Sequence, residues 1–430
     1  MKRLIGLVKA KANVQTFGTI ALRGAGVLFL FGISILMTNN FPPTVVGEYE
    51  FIRVFLLVFG SLCLLGTDVS ILFFSGKLKA LHSFEEIKNI YFTIIKIISA
   101  SSILCFGIFF VFFSKAQVDS FFEEGFYEII FNSLLVLSFY VISLFNIEIL
   151  RAIDKPILSE LFRNVFKYLP LGVGIFIHII YIEFLTLYQY YIYGFIILFI
   201  ASQLTVWYCF RAIQNSRTQS FSTKEIIKIS LPMGVSNLVM FLLLSIDVFL
   251  LKKYYGSDYV AFYAIGIKLI TILSVVMISF NINASQQIAE FFASGTKQQI
   301  QVLTRKTAKK IFLINLGISA FIVVFLNEIL MTFGEAYLYI KEAIYVLLFA
   351  QLFASAFGMV PVYLNMTGRG NIYQLILLVA LLLNGALNMI LIPKFNVMGA
   401  AYTFALTVMF WNIIVTLYVY KKDKINLFLH

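Results

Sequence analysis

At 430 residues, with 61% hydrophobic and 13% charged side chains and a mean hydropathy of +0.94, the chain is too apolar for a soluble domain, which is usually about half apolar and about a quarter charged. The excess runs along the whole length and describes a polytopic integral membrane protein. The net charge of +12, which in a soluble protein would suggest nucleic acid, is here read loop by loop and implies no nucleic-acid partner.

The apolar runs reach the ~20 residues that an α-helix needs to cross ~30 Å of hydrocarbon. They lack the period-two alternation of a membrane β-barrel. Twelve spans are predicted, at 17–38, 51–74, 90–113, 127–150, 162–181, 186–210, 229–251, 259–282, 310–330, 342–365, 372–392 and 398–420. The N-terminus, "MKRLIGLVKAKANVQ", is basic and shows no short apolar stretch followed by a small-residue cleavage site, so the first span is expected to be retained. Cys63, Cys105 and Cys209 all fall within spans at no motif spacing and read as small buried hydrophobes. His82, His178 and His430 are scattered, so no metal site is expected.

Cytoplasmic loops retain lysine and arginine. The N-terminus, the even-numbered loops and the C-terminus together hold 22 of the 33 basic residues. The odd-numbered loops hold only Lys115, Lys252, Lys253, Lys341 and Lys394. Both termini are therefore expected on the cytoplasmic side, which an even number of spans requires.

The basic loop "RAIQNSRTQSFSTKEIIK" from residue 211 divides the chain near its middle. Val46 aligns with Val260, Tyr49 with Tyr263, Leu150 with Leu364 and Tyr188 with Tyr402, every pair 214 positions apart. The expected fold is all-α, with two six-helix lobes related by a pseudo-two-fold axis along the membrane normal. The lobes are placed at 1–210 and 229–430, with a cytoplasmic linker at 211–228. Transporters with such parallel repeats bind substrate near the repeat interface.

Three stretches carry a family resemblance. "FPPTVVGEYEFIRVFLLVFGSLCLLGTDVSILFF" follows the first span, "SLPMGVSNLVMFLLLSIDVFLLKKYYGSDYVAFYAIGIKL" begins at residue 230, and "NVMGAAYTFALT" enters the twelfth span. Together they resemble the polysaccharide exporter family of Wzx-type O-antigen flippases. Its superfamily also contains multidrug and toxin extrusion transporters and lipid II flippases. The resemblance implies a protein of the bacterial inner membrane. It would flip an undecaprenyl-pyrophosphate-linked oligosaccharide from the cytoplasmic to the periplasmic leaflet. A polysaccharide polymerase and a chain-length regulator would be partners, alongside the membrane lipids.

Charges at bilayer depth cost ~2.5–3.5 kcal/mol on insertion scales and so mark protein- or water-facing positions. Arg23 lies about six residues, or ~9 Å, into its span. Thr19, Arg23, Gly26 and Ser34 form a rough stripe, which suits either a cavity wall or an arginine snorkelling to the headgroups. Asn237 is its counterpart in the repeat, on a stripe with Met233, Met240 and Asp247. Guanidinium groups bind phosphates in bidentate geometry. In the related lipid II flippases, basic residues on helices one, two and eight line the central cavity, and Arg23, Arg53 and Lys268 resemble those positions.

Lys96, Arg163 and Lys167 lie near cytoplasmic span ends, where capture of a pyrophosphate and positive-inside anchoring both fit. Asp68 and Asp247 read either as salt-bridge partners or as sites for H⁺ or Na⁺ coupling. Pro170 and Pro232 are candidate kinks or packing residues. No Walker-type phosphate loop is present, so ATP is not the expected energy source and no cofactor is expected. The alternative is a cation-coupled multidrug extruder. An embedded glycosyltransferase or polymerase would need larger extramembrane loops than these.

Overall fold

The chain opens with α1 (Lys2–Asn40). Pro42 is extended (φ −63°, ψ 152°), as the residue before a proline prefers, and Pro43 sits in the first turn of α2 (Pro43–Leu64). Leu65 and Gly66 then both take left-handed φ, 51° and 77°, which stops α2. The chain resumes at a 44° bend as α3 (Thr67–Ala80). α4 (Ile87–Phe112) leads to the short α5 (Lys115–Phe121), started by a capping box between Ser114 and Gln117. α6 (Phe126–Ala152) and α7 (Pro156–Leu161) follow. A five-residue π-helical segment (Phe162–Phe166) leads into α8 (Leu169–Tyr181). α9 (Leu187–Phe210) and α10 (Thr223–Leu243) come next.

α11 (Ile246–Tyr255), α12 (Ser257–Ala293), α13 (Lys297–Val324) and α14 (Leu326–Phe333) continue the chain. A 3₁₀ segment (Glu335–Ile340) then joins α15 (Lys341–Phe357), α16 (Val360–Met366) and α17 (Gly370–Asp423). This computed structural model describes residues 2–181, 185–214, 221–294 and 296–429, without the side chains of 2–17, 20, 181, 282, 283, 286 and 293. There is no strand among the described residues.

Nine described helical segments are long and apolar enough to cross a membrane, or ten if α2 and α3 are one bent span. The chain is a multi-pass membrane protein. The expected fifth span, 162–181, divides into the π-helical segment and the 13-residue α8. The expected eleventh and twelfth spans are the two helices of α17, which meet at a kink where Asn396 leaves helical geometry (φ 48°, ψ −126°).

The chain divides into two compact units, Met1–Phe241 and Leu242–His430. That division falls inside α10, downstream of the basic segment at 211–228, of which residues 215–220 lie outside the described residues. The reason is local. α10 meets the break between α2 and α3 at backbone distance: a Cβ on Gly66 would stand 2.2 Å from the Ser230 carbonyl oxygen. The contact continues along α3, with the Ser70 and Ser230 hydroxyls 2.6 Å apart and the Phe74 ring 5.0 Å from that of Phe221, which precedes α10.

In the first unit α6 is the central helix, packed by α2, α3, α4 and α9. A buried polar network ties three of these together. The Asn146 side-chain amide donates to Ser202 and Gln203, and the Tyr91 hydroxyl lies 2.9 Å from the Asn146 oxygen. In lipid, where helices gain little by hiding apolar surface from one another, such hydrogen bonds and close contacts supply the adhesion. Pro170 packs against Gly194 of α9.

In the second unit α15 packs along α17 and against α12 and α13. Asn384 donates to Thr407 across the two halves of α17. Asp423 closes the unit, accepting from Arg369 (2.9 Å) and from the Tyr363 hydroxyl (2.7 Å). The C-terminal segment runs back over the same unit. Gln301 exchanges two hydrogen bonds with the backbone of Asn426, and Ile425 and Leu427 are buried.

Candidate functional site

Four basic residues of the first unit form one electrostatic cluster. Gly26 explains how α1 reaches it: a Cβ there would lie 2.5 Å from the Asn164 Cβ, so only glycine lets α1 settle on the π-helical segment. One turn earlier on α1, Arg23 then donates to Glu160 of α7, whose second oxygen accepts from Asn164 at 2.9 Å. The π-helical segment itself turns Arg163 toward Glu148 of α6, to which it donates. Such segments re-aim side chains and recur at functional sites. On α2, Arg53 donates through Nε to Glu50 at 2.7 Å, an i, i+3 pair.

Three of the four cations thus have a carboxylate. The fourth, Lys167, has none among the described residues. Its ammonium lies 5.4 Å from the centre of the Tyr168 ring and 6.0 Å from that of Tyr140. Arg53 is within electrostatic range of Lys167, and so is Arg163. Two features make the Arg53 end chemically open. Its Nε serves Glu50, and its two terminal amino groups have no hydrogen-bond partner among the described residues. The side chain is 28% exposed, whereas Glu50 is 1% exposed.

Beside them Tyr49 is fully buried, and its hydroxyl has no hydrogen-bond partner among the described residues. It stands within electrostatic range of Arg53 and Tyr168, and its ring packs edge-on against Tyr191 at 5.0 Å. A buried hydroxyl without a partner carries a desolvation cost of ~1–3 kcal/mol. Two cations of which one lacks a described carboxylate, among tyrosine rings, are chemically suited to an oxyanion.

The other expected site residues are distributed as follows. Asp68, in the first turn of α3, is half-buried within range of Glu148 and Arg163. Lys96 is exposed on α4, with no ion pair among the described residues. Asn237 is half-buried on α10. Asp247 and Lys268 belong to the second unit. Asp247 is buried, accepting from the Val248 backbone N–H at 2.9 Å and from the Tyr263 hydroxyl. Lys268 is buried on α12. Among the described residues no group of His, Cys, Asp and Glu is arranged to hold a metal ion.

Glu50, Glu160, Tyr49 and Tyr168 are members of the cluster that sequence reasoning passed over, and Glu148, near the cytoplasmic end of its span, reads from the sequence as a loop-edge residue. Only the Glu50–Arg53 spacing was a readable signal. Carboxylates balance three of the cluster's four cations, which leaves Lys167 and the free face of Arg53 as its positive end.

The MatE family model matches residues 232–390, less than half of the chain. No curated protein matches. Among solved structures, an inward-facing multidrug resistance MATE family transporter of the MOP superfamily is similar with a TM-score of 0.74 at 14% identity, over 94% of this chain and 96% of that one. The lipid II flippase MurJ, in an inward closed conformation, gives 0.72 at 13%, over 94% and 87%. A MOP superfamily transporter from Pyrococcus furiosus, described as having a binding pocket of reverse polarity, gives 0.59 at 15%, over 94% and 93%. Identities this low speak to architecture alone, and the chain has the helical fold of the MATE and MurJ transporters.

Proposed function

We propose that the protein is a flippase for a lipid-linked oligosaccharide, binding the pyrophosphate of its carrier lipid at Arg53 and Lys167. One observation carries this reading: Arg53, whose two terminal amino groups have no hydrogen-bond partner among the described residues, is within electrostatic range of a lysine that no described carboxylate neutralises. A guanidinium fork and an ammonium together suit a group rich in anionic oxygens. A cationic drug would meet repulsion there. The likeness to MurJ supports a lipid-linked substrate, and the family resemblance supports an undecaprenyl carrier with an O-antigen-like glycan.

On this reading Arg23 and Lys268 are further contacts along the path, with Asn237 and Asp68 among its polar lining. Lys96 and Arg163 would meet the substrate at the cytoplasmic ends. Substrate passes from the cytoplasmic to the outer leaflet of a bacterial inner membrane, with both termini cytoplasmic as the loop charges suggest. A polymerase and a chain-length regulator would act on the product. Asp68 and Asp247 are the acids available for H⁺ or Na⁺ coupling.

The MatE match and the multidrug neighbour favour a second reading, a cation-coupled drug extruder. Reconstitution separates the two. Proteoliposomes are expected to translocate a fluorescent undecaprenyl-pyrophosphate oligosaccharide, with Arg53→Ala and Lys167→Gln each lowering the rate by at least tenfold, the worth of a charge-assisted hydrogen bond of ~1.5–3 kcal/mol. Native protein that ignores this lipid and exports organic cations would overturn the flippase reading.

A further inference from the structure

The second unit carries an apolar groove of about 600 Å³ between α15 and α17, lined by Tyr345, Phe349, Leu391, Tyr402 and Leu406 among others. Phe349, Tyr402 and Leu406 are 58%, 40% and 48% exposed, so the groove opens outward from its unit. It lies beside the break in α17, where Asn396 leaves helical geometry. Two lysines stand at that end. Lys341 begins α15 one helical turn before Tyr345, and therefore shares its face. Lys394 precedes Phe395, whose ring packs edge-on against Tyr402 at 6.2 Å. The two segments come close, because Tyr339, two residues before Lys341, lies near Asn396, two residues after Lys394. Glu342 lies beside Lys341, which leaves this trio with a net charge of +1.

The placement of these lysines runs against the general charge pattern. The odd-numbered loops are nearly free of basic residues, yet two of their five lysines flank one groove. A lipid chain gains little by leaving bulk hydrocarbon for an apolar groove, since both are equally oily. Selection must therefore come from the headgroup. A net positive mouth above an apolar cleft matches a lipid with one net negative charge at its phosphate. The geometry points to a site for an anionic bilayer phospholipid, its phosphate between Lys341 and Lys394 and one acyl chain along Tyr345, Phe349 and Leu406. The site is independent of the substrate assigned above.

Native mass spectrometry of the full-length protein in detergent tests this, with phosphatidylglycerol and phosphatidylethanolamine of identical chains as probes. Phosphatidylglycerol should be retained in preference. Lys341→Gln and Lys394→Gln should each reduce its retention about fivefold, the worth of one basic residue near an anionic surface, and arginine at either position should restore it. Leu406→Trp, which fills the groove without touching the charges, should displace the lipid with the lysines intact. Equal retention of the two phospholipids overturns the proposal, as does unchanged binding in Leu406→Trp. Stronger retention of undecaprenyl phosphate than of phosphatidylglycerol would overturn it in favour of the carrier lipid.

Discussion

Gly66 and Gly234 meet backbone to backbone: a Cβ on Gly66 would lie 2.3 Å from the Gly234 nitrogen, and one on Gly234 would lie 2.5 Å from the Leu65 carbonyl carbon. No rotamer change relieves such a contact, since the obstructing atoms are main chain. Gly66 also sits at φ 77°, where a side chain adds strain of its own. Gly66→Ala and Gly234→Ala should therefore each destabilise the protein by ~1–3 kcal/mol, read as a lower melting temperature in detergent. Gly76→Ala on α3, where a Cβ would meet nothing within 4 Å, serves as the control and should be neutral or slightly stabilising. Equal melting temperatures for all three variants would show that this seam is looser than its geometry.

The Arg23–Glu160 pair is asymmetric, with the arginine 42% exposed and the glutamate 3% exposed. Removing Arg23 strands a buried carboxylate, whereas removing the charge of Glu160 leaves a cation that water can reach. Arg23→Ala should cost ~1–3 kcal/mol and Glu160→Gln less than ~1 kcal/mol. The double variant should recover most of the loss in stability. Transport then decides what Arg23 does. A double variant that is stable but inactive assigns Arg23 to the substrate path, and one that is stable and active assigns it to the fold.

What could be read beforehand follows from how locally each feature is encoded. Apolar runs of helical length mark the spans because hydropathy is a property of contiguous residues. The Glu50–Arg53 pair is one helical turn long and was equally accessible. Arg23 and Glu160 are 137 positions apart, so nothing in either neighbourhood announces the other. The π-helical segment that presents Arg163 and Asn164 has no composition distinct from its flanks. The break at Leu65 and Gly66 fell inside what reads as one continuous span, since a single glycine in an apolar run is ordinary. Lys252, which reads as a loop cation, is instead buried with its ammonium 2.6 Å from the Ser257 hydroxyl.

Tyr49 and Tyr263, 214 positions apart in the sequence, are both fully buried and differ in what their hydroxyls find. Tyr263 donates to Asp247, while the Tyr49 hydroxyl has no partner among the described residues. Substituting phenylalanine should therefore have opposite effects. Tyr263→Phe strands part of a buried carboxylate and should destabilise by ~1–3 kcal/mol. Tyr49→Phe removes an unsatisfied hydroxyl and should be neutral or stabilising, yet should slow transport of the lipid-linked oligosaccharide if that hydroxyl donates to the pyrophosphate. A Tyr49→Phe variant as active as the native protein would remove the hydroxyl from the anion site while leaving Arg53 and Lys167 in it.

Asn396 breaks α17 at φ 48° and ψ −126°, a conformation that costs a side-chain-bearing residue ~1–3 kcal/mol. Glycine reaches it without steric penalty. Against this gain stands the polar contact of the Asn396 side chain with Tyr339, half-exposed and worth at most ~0.5–1.5 kcal/mol. The backbone term is the larger, so Asn396→Gly should leave stability unchanged or raise it slightly. Asn396→Val, which loses the polar contact and adds a β-branch at positive φ, should lower it by several kilocalories per mole. The comparison also bears on the lipid groove, because the Tyr339–Asn396 contact holds the Lys341 and Lys394 segments together. Asn396→Gly should keep the melting temperature and weaken retention of phosphatidylglycerol. A glycine variant that melts well below the native protein would mean that the Asn396 side-chain contact outweighs the backbone strain, and that the mouth of the groove is itself a structural clasp.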